Sequence, residues 1–78
     1  MKKRAQPDIR ERFGFAIKIR REELDLTQED LAEKAGIHRT YLSDIERGSR
    51  NVSLINIELL ANALGVSLSD LFKRVDAG

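Results

Sequence analysis

The 78 residues contain no cysteine, no tryptophan and a single histidine. The first absence excludes disulfides, thiol chemistry and cysteine–histidine zinc sites. Proline occurs once, at position 7, so no later helix need be broken by one. Apolar runs stop at three residues, as in Leu59-Leu60-Ala61, against the roughly 20 needed to cross a bilayer. No membrane partner is therefore expected. No apolar stretch follows Lys2-Lys3-Arg4, so no secretory leader is expected either, and the chain reads as cytoplasmic. The acids do not cluster at metal-ligand spacing, and one histidine has no second ligand. No catalytic constellation forms, and the sequence predicts no enzyme, no metal, no cofactor and no small-molecule substrate.

What is present is charge, unevenly distributed. The net charge is +1, yet residues 1–21 carry eight basic residues against Asp8 and Glu11. Residues 22–46 carry eight acids against Lys34 and Arg39, and Arg47 and Arg50 then restore positive charge. Such segregation predicts one positive and one negative face, although solvated helix surfaces give the same pattern.

Apolar spacing is helical throughout and predicts five helices. The first spans about Asp8–Glu23, with a stripe at Ile9, Phe13, Ala16, Ile17 and Leu24. Gly14 inside it permits close packing at some cost to the helix. The second begins at Thr27, where Asp30 completes a capping box, and ends at Gly36. The third spans about His38–Arg47 before Gly48. The fourth is capped by Ser53 and ends at Leu64-Gly65. The fifth, capped by Ser67, reaches about Val75. The predicted layout is a basic tail at 1–7, one domain at 8–75 and a frayed end at 76–78.

Two short helices joined by Ala35-Gly36-Ile37 need a small residue at the crossing, a residue tolerant of positive φ in the turn, and apolar plugs. Ala32, Gly36 and the set Leu31, Ala35, Ile37, Leu42 and Ile45 supply these, which predicts a helix-turn-helix. Steps of 100° per residue place Thr40, Ser43, Asp44 and Arg47 opposite Leu42 and Ile45, with Arg39 beside them at the N-terminal end. This face of short or forked hydrogen-bonding groups suits base edges in a DNA major groove. Arg39 or Arg47 can bind guanine with two bonds, and Thr40 can touch a thymine methyl. A carboxylate facing phosphates is unfavourable, so Asp44 is expected either to accept from a cytosine or adenine amino group or, the favoured role, to orient Arg39 or Arg47. His38, at the helix start, suits capping or a phosphate contact.

The stretches Leu26-Thr27-Gln28-Glu29-Asp30-Leu31-Ala32, Tyr41-Leu42-Ser43-Asp44-Ile45-Glu46-Arg47-Gly48 and Leu59-Leu60-Ala61-Asn62-Ala63-Leu64-Gly65-Val66 resemble the Cro/repressor-type (Xre-like) helix-turn-helix family over residues 17–72. His38 to Asn51 is similar to the controller proteins of restriction–modification systems. The resemblance implies an all-α, compact five-helix bundle of the lambda-repressor-like DNA-binding type, working as a homodimer on inverted-repeat double-stranded DNA near promoters. It also implies that Gln28 caps the second helix against phosphate and that Tyr41, Arg50 and Asn51 lie near backbone or base edges. Arg21 and Glu46 stand where the family forms a partly buried ion pair. Lys18, Arg20 and Arg50 are expected to add phosphate contacts.

The fourth and fifth helices hold more apolar surface than one core stripe needs. Ile57, Leu60, Leu64, Leu68 and Phe72 are the expected dimer interface. The acids beside the motif could meet RNA polymerase. An antitoxin-type autorepressor, or a protein-interaction module that keeps the fold without DNA binding, are the alternatives left open.

Overall fold

The computed structural model describes residues 7–78, so the Lys2-Lys3-Arg4 tail lies outside the described residues. Asp8 sets the first boundary: its carboxylate accepts from the Arg10 amide at 2.7 Å, and α1 runs Ile9–Glu23 from there. Thr27 and Asp30 exchange side chain-to-amide bonds of 3.0 Å, a reciprocal cap that starts α2 at Gln28–Ala35. Helix α3 follows at Arg39–Glu46. Ser53 and Ser67 accept from the Asn56 and Asp70 amides and open α4 (Leu54–Leu64) and α5 (Leu68–Ala77). The described residues contain these five helices and no strand. Residues 76 and 77, expected to fray, continue α5 instead, and the Gly78 amide closes its last turn on the Arg74 carbonyl.

Ile17, Leu31, Leu42, Ile45, Leu60, Leu64, Leu71 and Val75 form the fully buried centre. Helix α1 lies against α3 and α5, while α2 lies against α3 and α4. The α1–α3 approach depends on Gly14. A β-carbon there would stand 2.1 Å from the Ile45 carbonyl oxygen and 2.8 Å from that of Glu46. Only glycine lets the α1 backbone rest on the end of α3.

Two of the five residues expected at a dimer interface are not on the surface. Leu60 and Leu64 have no exposure at all, because with Ile57 they recur at intervals of three and four on the side of α4 that faces α2 and α5. The surplus lies on the other side. Leu54 and Ile55 are 76% and 72% exposed, and Leu59 continues the Ile55 stripe one turn on. Leu68 and Phe72 are partly exposed at the rim, Phe72 resting on Phe13 with ring centroids 6.1 Å apart. Ile57 is half-buried against the core. Among the described residues no single helix is long and apolar enough to cross a membrane.

Candidate nucleic-acid interface

Helices α2 and α3 are joined by Gly36, Ile37 and His38. Gly36 takes φ +74, the left-handed conformation that reverses the chain, and its amide returns to the Glu33 carbonyl at 3.2 Å. Leu31, Ala32 and Ala35 of α2 and Leu42 and Ile45 of α3 are buried in the angle between the helices, and Ile37 packs against them. Because this inner side is fixed by packing, the opposite side of α3 has a fixed direction. Arg39, Thr40 and Arg47 stand exposed on it, with Ser43 and Asp44 half-buried between them.

A buried ionic lock holds the corner to α1. Arg21 donates to Glu46 through Nε at 2.7 Å and Nη2 at 3.0 Å, and its Nη1 donates to the Leu26 carbonyl at 2.8 Å. The side chains are 11% and 4% exposed. The Glu46 carboxylate, hydrogen-bonded to Arg21, pushes the guanidinium pKa up. Gln28 joins the lock: its amide nitrogen donates to Glu46 Oε1 at 2.9 Å. The resemblance turns Gln28 toward phosphate, whereas here its amide hydrogens point inward. An open groove lined by Arg21, Thr27, Gln28, Glu29 and Arg39 remains between the starts of α2 and α3.

The outer side carries a second polar cluster. Arg47, the residue that caps α3, donates to Asp44 Oδ1 and, at 2.9 Å, to Ser43 Oγ. Arg50 reaches back from the following loop to Asp44 Oδ2 at 3.2 Å, and its guanidinium lies 5.1 Å from the Tyr41 ring centre. Asp44 therefore orients Arg47 and Arg50; Arg39 is not its partner. Tyr41 is half-buried, and its hydroxyl accepts from Asn56 Nδ2 at 3.1 Å. Sequence reasoning passed over Asn56, although its place three residues after the Ser53 cap puts it in the first turn of α4.

The remaining expected contacts divide. Lys18 is exposed one turn along α1 from Gly14, on the stripe that meets α3. Asn51 is exposed in the loop before α4. His38 occupies the position before α3, but its side chain makes no capping bond. Arg20 turns away from the corner. Its Nε donates to the Leu64 carbonyl at 3.1 Å and Nη1 to Glu23 at 3.2 Å, which tie α1 to the end of α4. Its guanidinium is thus employed in packing rather than offered to phosphate. Among the described residues no group of three histidine, cysteine or acidic side chains is placed to hold a metal ion.

Two short helices meeting at a packed corner, with a polar outer face on the second, make a helix-turn-helix. A helix-turn-helix family model matches residues 17–71, and the chain belongs to that family in its Xre-like branch. It is 47% identical over 70 residues to control protein C.MunI of Mycoplasma sp., covering 88% of this chain and 95% of that protein. It is 52% identical over 72 residues to control protein C.BamHI of Bacillus amyloliquefaciens, covering 91% and 89%. The fold matches, with a TM-score of 0.84 and 39% identity, that of restriction-modification controller protein C.Esp1396I, solved as a tetramer on its natural 35 base-pair operator. That match covers 92% of this chain and 95% of the other.

Proposed function

We propose that the protein is a sequence-specific regulator of transcription that binds double-stranded DNA as a homodimer on an inverted-repeat operator, in the manner of restriction–modification controller proteins. The observation that carries this reading is the outward α3 face of Arg39, Thr40, Ser43, Asp44 and Arg47, held in one direction by a packed corner and by the Arg21–Glu46 lock. Arginine forks read guanine edges, and Thr40 offers a methyl contact to thymine. Lys18 and Asn51 flank this face and supply contacts to the phosphate backbone, which dominates affinity.

One eight-residue helix reaches few base pairs. A second copy joined through Leu54, Ile55 and Leu59, with Ile57, Leu68 and Phe72 at the edge, would bury the exposed apolar side of α4. It would also set two recognition helices about 34 Å apart, one turn of DNA. C.Esp1396I, a related protein, binds its operator as a still larger assembly. Such a regulator works in the cytoplasm, where the DNA is. The experiment is selection of bound duplexes from random sequence followed by footprinting. A recovered inverted repeat protected symmetrically supports the reading. Recovery of no duplex, with a protein partner captured instead, overturns it.

A further inference from the structure

Asp44 serves two arginines at once. Its Oδ1 accepts from Arg47 and its Oδ2 from Arg50, while the loop between them is closed on Asp44 itself. The Ser49 amide and hydroxyl donate to the Asp44 carbonyl at 3.0 and 3.1 Å. Each arginine has a further hold, Arg47 on Ser43 Oγ and Arg50 over the Tyr41 ring. The Asp44 side chain is 18% exposed beneath arginines that are 63% and 50% exposed, so its charge is shielded from water by the groups it binds.

We propose that Asp44 is a specificity-determining positioning residue, whose shared carboxylate keeps the charges of Arg47 and Arg50 from being spent on phosphates of arbitrary sequence. This rests on the DNA-binding reading above. An arginine free in solution displaces a counterion wherever a phosphate is near, with a change of about 0.9 in the slope of log K against log salt per contact. An arginine already paired with a carboxylate gains less, because it must leave its partner or carry that negative charge toward the backbone. A guanine edge is neutral and offers two acceptors in a plane that fits the guanidinium fork, so an arginine can bond it with its remaining N–H groups while still holding the Asp44 carboxylate. The two arginines are thus quiet on random DNA and engaged on the right bases.

The test compares the parent with Asp44→Asn, which keeps the shape and removes the charge, and with Asp76→Asn, an equal charge change on exposed α5. The probes are a duplex selected by the parent from random sequence and a random duplex of the same length, each titrated at several salt concentrations. Asp44→Asn is expected to bind the random duplex at least threefold more tightly than Asp76→Asn does. Its salt slope there should be steeper by about 1–2, and its preference for the selected duplex at least tenfold smaller. A preference and slope equal to those of Asp76→Asn overturn the inference, as does a loss confined to the selected duplex. Arg50→Gln tests the same point with Asp44 intact: the random-duplex slope should hold, whereas a fall of about 0.9 shows Arg50 was free. A parent that selects no duplex overturns the DNA-binding reading and this inference together; a specific parent with an indifferent Asp44→Asn overturns this inference alone.

Discussion

Arg21 and Glu46 face each other across α1 and α3 as a two-bond pair, 2.7 and 3.0 Å long, with Gln28 of α2 donating to the same carboxylate. Three helices thus meet at one buried charge. Removing one partner leaves the other unpaired in a site that excludes water, which costs about 3–5 kcal/mol. Glu46→Ala should therefore lower the melting temperature by more than about 10 °C, given that 1 kcal/mol moves a domain of this size by roughly 4–8 °C. Thermal unfolding followed by circular dichroism decides it; a shift of a degree or two would show the pair to be dispensable.

Gly36 in the corner and Gly14 in α1 should respond differently to alanine. At Gly36 a β-carbon meets nothing within 4 Å and the cost is the left-handed backbone alone, about 1–2 kcal/mol. At Gly14 the β-carbon strikes two carbonyl oxygens at the end of α3, and backbone must move. Gly14→Ala should be the more damaging variant in chemical denaturation, at about 3 kcal/mol or more. The reverse order would mean that α1 and α3 can separate cheaply.

Leu60 and Ile55 separate folding from assembly. Leu60 is fully buried, so Leu60→Ala should cost about 2–5 kcal/mol of stability. Ile55 is mostly exposed in one chain, so Ile55→Asp should leave the monomer folded and shift sedimentation toward half the parental mass. An Ile55→Asp protein that stays dimeric places the interface elsewhere.

Acid should loosen the protein through carboxylates held below their usual range. Arg10 holds Asp8 at about 2 by a side-chain hydrogen bond. Arg74 and then Arg20 lower Glu23, and the Thr27 amide lowers Asp30. A depressed folded pKa gives stability that is complete above the unfolded value and lost as pH falls through the folded one. Melting temperature should accordingly be level near neutrality and decline from about pH 4.5 toward pH 2. Glu23→Gln should make the decline shallower, and salt should weaken the difference, since these groups are at the surface.

Most of this architecture was legible in the residues because local signals and packing agree. Thr27 with Asp30, Ser53, Ser67 and the glycines after α2 and α4 mark helix ends by mechanisms that need no tertiary context. The Leu31–Ile45 spacing shows which side of the corner is buried. What the sequence hid depends on long-range geometry. Leu60 and Leu64 read as surplus in the sequence because composition alone cannot say which side of an apolar helix faces the core; the phase set by Ile57 does. Arg20 is indistinguishable from a free cation until the Leu64 carbonyl is seen beside it. Arg50 joins Asp44 only because the loop after Gly48 folds back, a fact of backbone path rather than residue type.

Base reading by the outward face of α3 is what the proposed function requires. Its most direct test is the affinity of Arg39→Ala and Arg47→Ala for a duplex selected by the parent, with melting curves showing that both variants remain folded. Each should lose about 1–3 kcal/mol on that duplex, roughly 5- to 150-fold, with a far smaller change on random DNA. Folded variants that bind the selected duplex as tightly as the parent would contradict it.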